Sequence, residues 1–193
     1  VAAFEFRCFV NADVVLGPDL VAAARRVRDA FERFLLVGQS WDLEPDLVPG
    51  DPAAVREVAL RQGRLRGAAA LDWFVFPAGL LDPIPPFLVG RAGYDNWLVW
   101  RARQRGSVVD ATAAVVAVHQ THAYDHLPGG KEAAYYGAEA ARNVELAGGG
   151  RRLFTLHDAS HRLLADHRLR RNPGALLRGG ETLRKVKWKL GVR

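Results

Sequence analysis

Three short segments of this 193-residue chain carry side chains able to act together chemically. Asn11-Ala12-Asp13 follows the run Phe4-Glu5-Phe6-Arg7-Cys8-Phe9-Val10, whose partial alternation of apolar and polar residues predicts a β-strand. An amide and a carboxylate two residues apart at a strand end offer the hard oxygen ligands that Mg2+ or Mn2+ prefers. An Asx turn joining strand to loop would use the same residues. Asp95 follows a loop rich in proline and glycine and opens a helix, where the macrodipole favours its ionised form. A carboxylate so placed can act as a general base toward a hydroxyl, or simply cap the helix. His119-Gln120-Thr121-His122, with His126 beyond, leaves an apolar strand; the spacing lets His119 and His122 face one metal ion, and hydrogen-bonding loop histidines are the plain alternative.

Other chemistries find less support. The chain has no glycine-rich phosphate loop ending in lysine and serine or threonine, no G-x-S-x-G elbow and no H-E-x-x-H helix. Ser160 lies beside His157, Asp158 and His161 without the motif context of a nucleophile. The single cysteine, Cys8, excludes an intrachain disulfide and a cysteine-based zinc site, and reads as a buried small hydrophobe.

The frame that must position these groups reads as alternating strands and helices. Leu20, Ala24, Val27, Phe31 and Phe34 recur at helical spacing opposite Arg25, Arg26, Arg28 and Arg33, and Leu35 to Val37 follows as a short buried strand. Asp51-Pro52 starts a helix that Gly63 or Gly67 ends. Leu71 to Phe76 reads as a strand, and Pro77, Pro83, Pro85 and Pro86 make an irregular loop. Tyr94 to Arg105 reads as a helix stopped by Gly106, with strands at Val108-Val109 and at Val115 to Val118. Lys131 to Leu146 is helical with a possible break at Gly137, and Ala159 to Leu169 and Glu181 to Leu190 are expected as helices. The pattern predicts an α/β class with a mixed sheet flanked by helices.

Composition, at 49% hydrophobic and 25% charged residues, is that of one globular domain with a sizeable core. No run reaches the roughly 18 to 20 apolar residues of a membrane span and no signal-peptide layout opens the chain, so a cytoplasmic protein is expected. The net charge of +6 concentrates after position 161, where Asp166 and Glu181 are the only acidic residues. Lys185-Val186-Lys187-Trp188-Lys189-Leu190 reads as a solvated basic helix or as an interfacial one, which could meet the inner membrane surface. A non-catalytic α/β binding protein whose basic tail engages anionic lipid or nucleic acid is therefore a second reading, although no nucleic-acid-reading motif is present and none is expected as partner. A metal-dependent hydrolase is a third.

Taken in order, "CFVNADVVL", "DWFVFPAGLL", "PPFLVGRAGYDNWLVWRAR", "VVDATAAVVAVHQTHAYDH" and "EAARNVELAGG" resemble the bacterial glycosyltransferase-like proteins of GT-A fold, family-2-like, over about Phe4 to His161. The resemblance implies a metal-binding and acceptor portion of a GT-A-like catalytic domain at 1–161, and a basic helical tail at 162–193. It implies a divalent metal, Mn2+ or Mg2+, held by Asp13 and Asn11 with His119 or His122. Asp95 is then the base, and Arg91, Tyr94, Asn96 and Trp97 bind substrate, with Trp97 or Tyr94 stacking on a sugar face. The partners are a nucleotide-sugar donor and an acceptor, a carbohydrate by expectation. Because GT-A proteins place nucleotide-binding strands before the metal motif, and this chain opens at Val1 and contains no methionine, the expectation is a fragment inactive by itself.

Overall fold

The computed structural model describes residues 5–125 and 127–177. In chain order the first half contains β1 (Phe6–Val10), β2 (Val14–Leu16), α1 (Asp19–Arg28), β3 (Phe34–Val37), β4 (Trp41–Leu43), α2 (Val55–Gln62), β5 (Arg64–Leu65) and β6 (Trp73–Pro77). The second half contains α3 (Tyr94–Arg103), β7 (Ser107–Asp110), β8 (Ala117–Gln120), α4 (Gly130–Tyr136), α5 (Ala138–Leu146), β9 (His161–Leu163), β10 (Leu169–Arg171) and α6 (Pro173–Leu177). The fold is mixed α/β, with two sheets flanked by helices.

The larger sheet has the order β1-β6-β3-β7-β9-β10, in which β3, β7 and β9 run parallel and β6 is antiparallel to both of its neighbours. Its inner strands are apolar runs because both faces are covered. Successive side chains of β3 feed opposite sides. Leu35 and Val37 join Phe74, Trp97, Leu98 and Val108 on the α3 side, while Phe34 and Leu36 join Ala23, Val27, Trp73 and Val109 on the α1 side. The smaller sheet, β2-β8-β4-β5, packs Val118 and Leu43 against Val55 and Ala59 of α2.

Three strands of the larger sheet lead directly into strands of the smaller one: β1 into β2 through residues 11–13, β3 into β4 through 38–40, and β7 into β8 through 111–116. The crossings are tight. A Cβ at Gly38 would lie 2.9 Å from the Trp73 ring and 3.0 Å from the Thr112 amide nitrogen, so only glycine fits there. The candidate residues sit along this seam.

Several expected elements are corrected. The helix reaching Phe34 ends at Arg28; Ala30 and Phe31 both donate to the Val27 carbonyl to close it, and Phe34 begins β3, where the core takes its ring. The helix expected from Ala159 to Leu169 is instead a 3-10 turn at Leu156–Asp158 followed by the antiparallel pair β9 and β10, so the larger sheet continues past position 161. Val115 closes a turn onto Ala111, and the strand begins at Ala117. Cys8, expected to be buried, is exposed on the edge strand β1. The strands β2, β4 and β5 were not expected. Gly137 does part α4 from α5, and Gly63 ends α2. The expected helix Glu181 to Leu190, the rest of the basic tail from 178 on, and His126 lie outside the described residues. Among the described residues no helix is long and apolar enough to cross a membrane.

Candidate functional site

Asp13 reaches the site through the turn that joins the two sheets. Asn11 N–H donates to the Asp72 carbonyl (2.9 Å), Val14 N–H to the Asn11 carbonyl (3.1 Å) and Gln120 N–H to the Asp13 carbonyl (2.9 Å). The last bond ties the turn at residues 11–13 to the end of β8, the strand that carries His119. His119 lies opposite Val14 on one side and Asp42 on the other.

The side chains converge. Asp13 Oδ2 stands 3.3 Å from His119 Nε2 and 3.2 Å from His122 Nε2, and one ligand atom from each residue lies within 4.8 Å of the others. His119 is buried at 7% exposure, Asp13 is half-buried and His122 is at the surface. The hydrogen bond from His119 holds the Asp13 carboxyl below its ordinary range, against the opposing effect of burial. Asp13 Oδ1 is enclosed and finds no hydrogen-bond partner among the described residues.

His119 is flanked by carboxylates at both ring nitrogens, with Asp42 Oδ1 3.0 Å from Nδ1 and Asp13 Oδ2 at Nε2. A neutral imidazole carries one proton, so it satisfies only one of them. A cation between Nε2 and Asp13 would let the neutral ring serve both carboxylates. The N···O separations match neighbouring ligands of one ion at about 2.0 to 2.2 Å from each, so the three residues fit a divalent metal. His122 is set differently. Its Nδ1 accepts from the Tyr124 amide (3.3 Å), which places the proton of the neutral ring on Nε2, facing Asp13. Ligation by His122 Nε2 therefore requires the proton to move to Nδ1 and the Tyr124 contact to yield. Tyr124 holds a left-handed backbone (φ 64°), uncommon for a bulky side chain, and packs its ring 4.3 Å from that of His122.

Asp13, His119, His122 and Tyr124 line a pocket of about 970 Å³, which Asp95 also lines. Asp95 stands in the first turn of α3, but its Oδ1 is shut away from solvent without a hydrogen-bond partner among the described residues. Burial pushes its carboxyl up to about 7, with the Asp72 charge adding to the rise, although amides at the helix start oppose it. The helix start does favour the ionised form, as expected, but desolvation outweighs it.

The remaining expected residues divide. Asn11 turns to second-tier partners: its Oδ1 accepts from the Tyr94 hydroxyl (3.0 Å) and its Nδ2 donates to Asp72 Oδ1 (3.2 Å). Tyr94 is buried with that hydroxyl on Asn11, and its ionisation is raised by burial. Asn96 lines the pocket while its Nδ2 bonds the carbonyls of Phe154 (2.8 Å) and Ala69 (3.3 Å). Arg91 lines the pocket and pairs with Glu139. Trp97 does not line it: at 4% exposure it packs between Phe87 and Trp100 in the core, where no sugar can stack on it.

Sequence reasoning missed Asp42, Arg66, Asp72 and Asn143. Arg66 joins Asp42 (3.4 Å) to Asp72 (2.6 Å), which extends the polar chain from His119 to Asn11 and Tyr94. Asn143, fully buried, receives the Leu88 N–H at Oδ1 (2.9 Å) and donates from Nδ2 to the carbonyls of Leu88, Arg91 and Ala92, so it clamps the loop that leads to Asp95. A polar residue within "EAARNVELAGG" was the only sequence signal for it. Comparison with protein-family models, with curated proteins and with solved structures gives no match for this chain.

Proposed function

We propose that the chain is a metal-assisted glycosyltransferase of GT-A-like build that moves a sugar from a nucleotide-sugar donor to an acceptor hydroxyl. The supporting observation is that the Asp13, His119 and His122 cluster and the Asp95 carboxyl line one pocket. Its volume, about 970 Å³, lies at the upper end of small-molecule sites. The donor class comes from the sequence resemblance.

Asp13 and His119 would hold the ion, with His122 joining once its Nδ1 takes the proton. Of Mn2+ and Mg2+, the imidazole ligands favour Mn2+. When bound, such an ion neutralises charge building on a departing diphosphate. Asp95, with a carboxyl at about 7, is ionised in a large fraction of molecules near neutral pH and yet basic enough to take the proton of an acceptor hydroxyl. Arg91 and Tyr94 stand beside it on the pocket wall.

Calorimetry with a nucleoside diphosphate, with and without Mn2+, tests the reading. Binding is expected only with the ion; in an intact enzyme that also carries the nucleotide-binding strands, Asp95→Asn is expected to lower turnover by about 10² or more while leaving donor binding intact. Equal diphosphate binding with a chelator present would sink the proposal. Two histidines with a carboxylate also suit a hydrolytic metal centre; sugar released to water in preference to an added acceptor would favour that second reading.

A further inference from the structure

Asp42 lies 77 positions from His119 in sequence, and only the parallel pairing of β4 with β8 brings them together. Its Oδ1 meets His119 Nδ1 at 3.0 Å, and its carboxylate is itself held by Arg64 (2.6 Å) and Arg66 (3.4 Å). At 13% side-chain exposure it is well screened from water, and it is not a member of the Asp13, His119 and His122 group. In a neutral ring Asp42, at 3.0 Å, and Asp13, at 3.3 Å, compete for one proton; when Asp42 holds it on Nδ1 the hydrogen bond to Asp13 is given up and the Nε2 lone pair is left aimed at an ion beside Asp13. His122 has the opposite setting, because the Tyr124 amide occupies its Nδ1.

We propose that Asp42 is a positioning residue that fixes the orientation and tautomer of His119, makes Nε2 its ligand atom, and thereby sets the divalent-metal affinity of the pocket. The inference rests on the metal reading of the cluster. Carboxylates that hold the far nitrogen of a metal-bound histidine raise its basicity and spare the ion the cost of orienting the ring. Arg66 connects this support to Asp72, so the orientation of His119 is tied to the wall that carries Asn11 and Tyr94.

The experiment uses the whole chain and Mn2+ alone as probe. Calorimetry should show Asp42→Ala weakening Mn2+ binding by about 10- to 100-fold, with Asp42→Asn, which keeps an oxygen acceptor without its charge, falling between it and the wild type. In parallel, imidazole nitrogen spectra of the metal-free protein, taken at a pH where His119 is neutral, should place its proton on Nδ1 in the wild type and shift it toward Nε2 in Asp42→Ala. If Asp42→Ala does not fold, Asp42→Asn carries both measurements, with thermal unfolding of the metal-free protein confirming that the folded state is intact. Unchanged Mn2+ affinity in a folded variant, or a wild-type proton on Nε2, overturns the proposal. If the wild type binds no Mn2+ while the His119 proton sits on Nδ1 and moves in Asp42→Ala, the metal reading fails and the hold of Asp42 on His119 stands.

Discussion

Replacing Asp95 by asparagine keeps the shape of the side chain and removes its ability to ionise. In the folded protein burial pushes the Asp95 carboxyl from 3.8 up to about 7, so the native state prefers the protonated form. The sign follows from linkage: the favourable contribution of the protonated group is fully present below the unfolded value and is lost as pH rises toward the folded one. At pH 5 the unfolded chain has ionised and the native group has not, a penalty of about 1 to 2 kcal/mol; by pH 8 it reaches about 4 kcal/mol and levels off. Asp95→Asn carries no such penalty. The variant should therefore gain about 2 to 3 kcal/mol on the wild type between pH 5 and pH 8. For a chain of this size that corresponds to a relative rise in Tm of roughly 5 to 10 °C. Urea or thermal unfolding of both proteins at the two pH values reads the difference, and subtracting one protein from the other cancels every other titrating group. A gap that stays constant with pH, or one that narrows, would show that Asp95 is ionised in the folded state and that desolvation does not dominate there.

His119→Gln should weaken Mn2+ binding more than His122→Gln does, because Asp42 can take the His119 proton at Nδ1 and free Nε2, whereas the Tyr124 amide occupies His122 Nδ1; calorimetric titration of both variants checks the order. Asp13→Asn should abolish measurable Mn2+ binding and should lower metal-free stability near neutral pH but not in strong acid, since the depressed Asp13 carboxyl contributes stability above its unfolded value that the wild type itself loses as pH falls through the folded one; thermal unfolding across pH should show the gap closing in acid. Gly106→Ala would place a Cβ 2.3 Å from the Arg33 carbonyl oxygen and should cost about 1 to 3 kcal/mol in urea unfolding. Asn143→Ala removes four hydrogen bonds to the 88–92 loop and should cost about 2 to 4 kcal/mol, with proteolysis appearing first in that loop.

Where the chain punctuates itself, its sequence was readable. The aromatic run before Asn11, the proline and glycine loop before Asp95 and the apolar strand before His119 each marked a terminus, and those termini meet in the pocket. Strands of two or three residues, such as β5 and β4, are too short to display a period, so Asp42 had no visible context. The helix read through Phe34 failed because the apolar spacing of α1 runs by chance into β3. The turn between β9 and β10 was hidden because His167, at φ 60°, takes the left-handed position that glycine usually announces. Tyr94, Trp97 and Leu98 follow the i, i+3, i+4 spacing of a helix face directed into the core, and that spacing weighed more than the sugar-binding habit of tryptophan.

The triple crossing between the sheets bears on how the molecule breathes. At the seam the Asn11 amide bonds to Asp72 and so prolongs the β1–β6 pairing of the larger sheet, while the Gln120 and Thr121 amides bond to Asp13 and Leu43 and prolong the pairings of β8 in the smaller one; these three bonds hold the segments that carry the candidate ligands. The strand ends that line the pocket cannot fray without breaking them. Slow hydrogen exchange at these three amides would then mark the seam as part of the most protected unit, opening only with the larger sheet. Exchange much faster than that of the β3 and β7 amides would instead describe a pocket whose ligand spacing drifts in the native state, ready to adjust to ions of different radius.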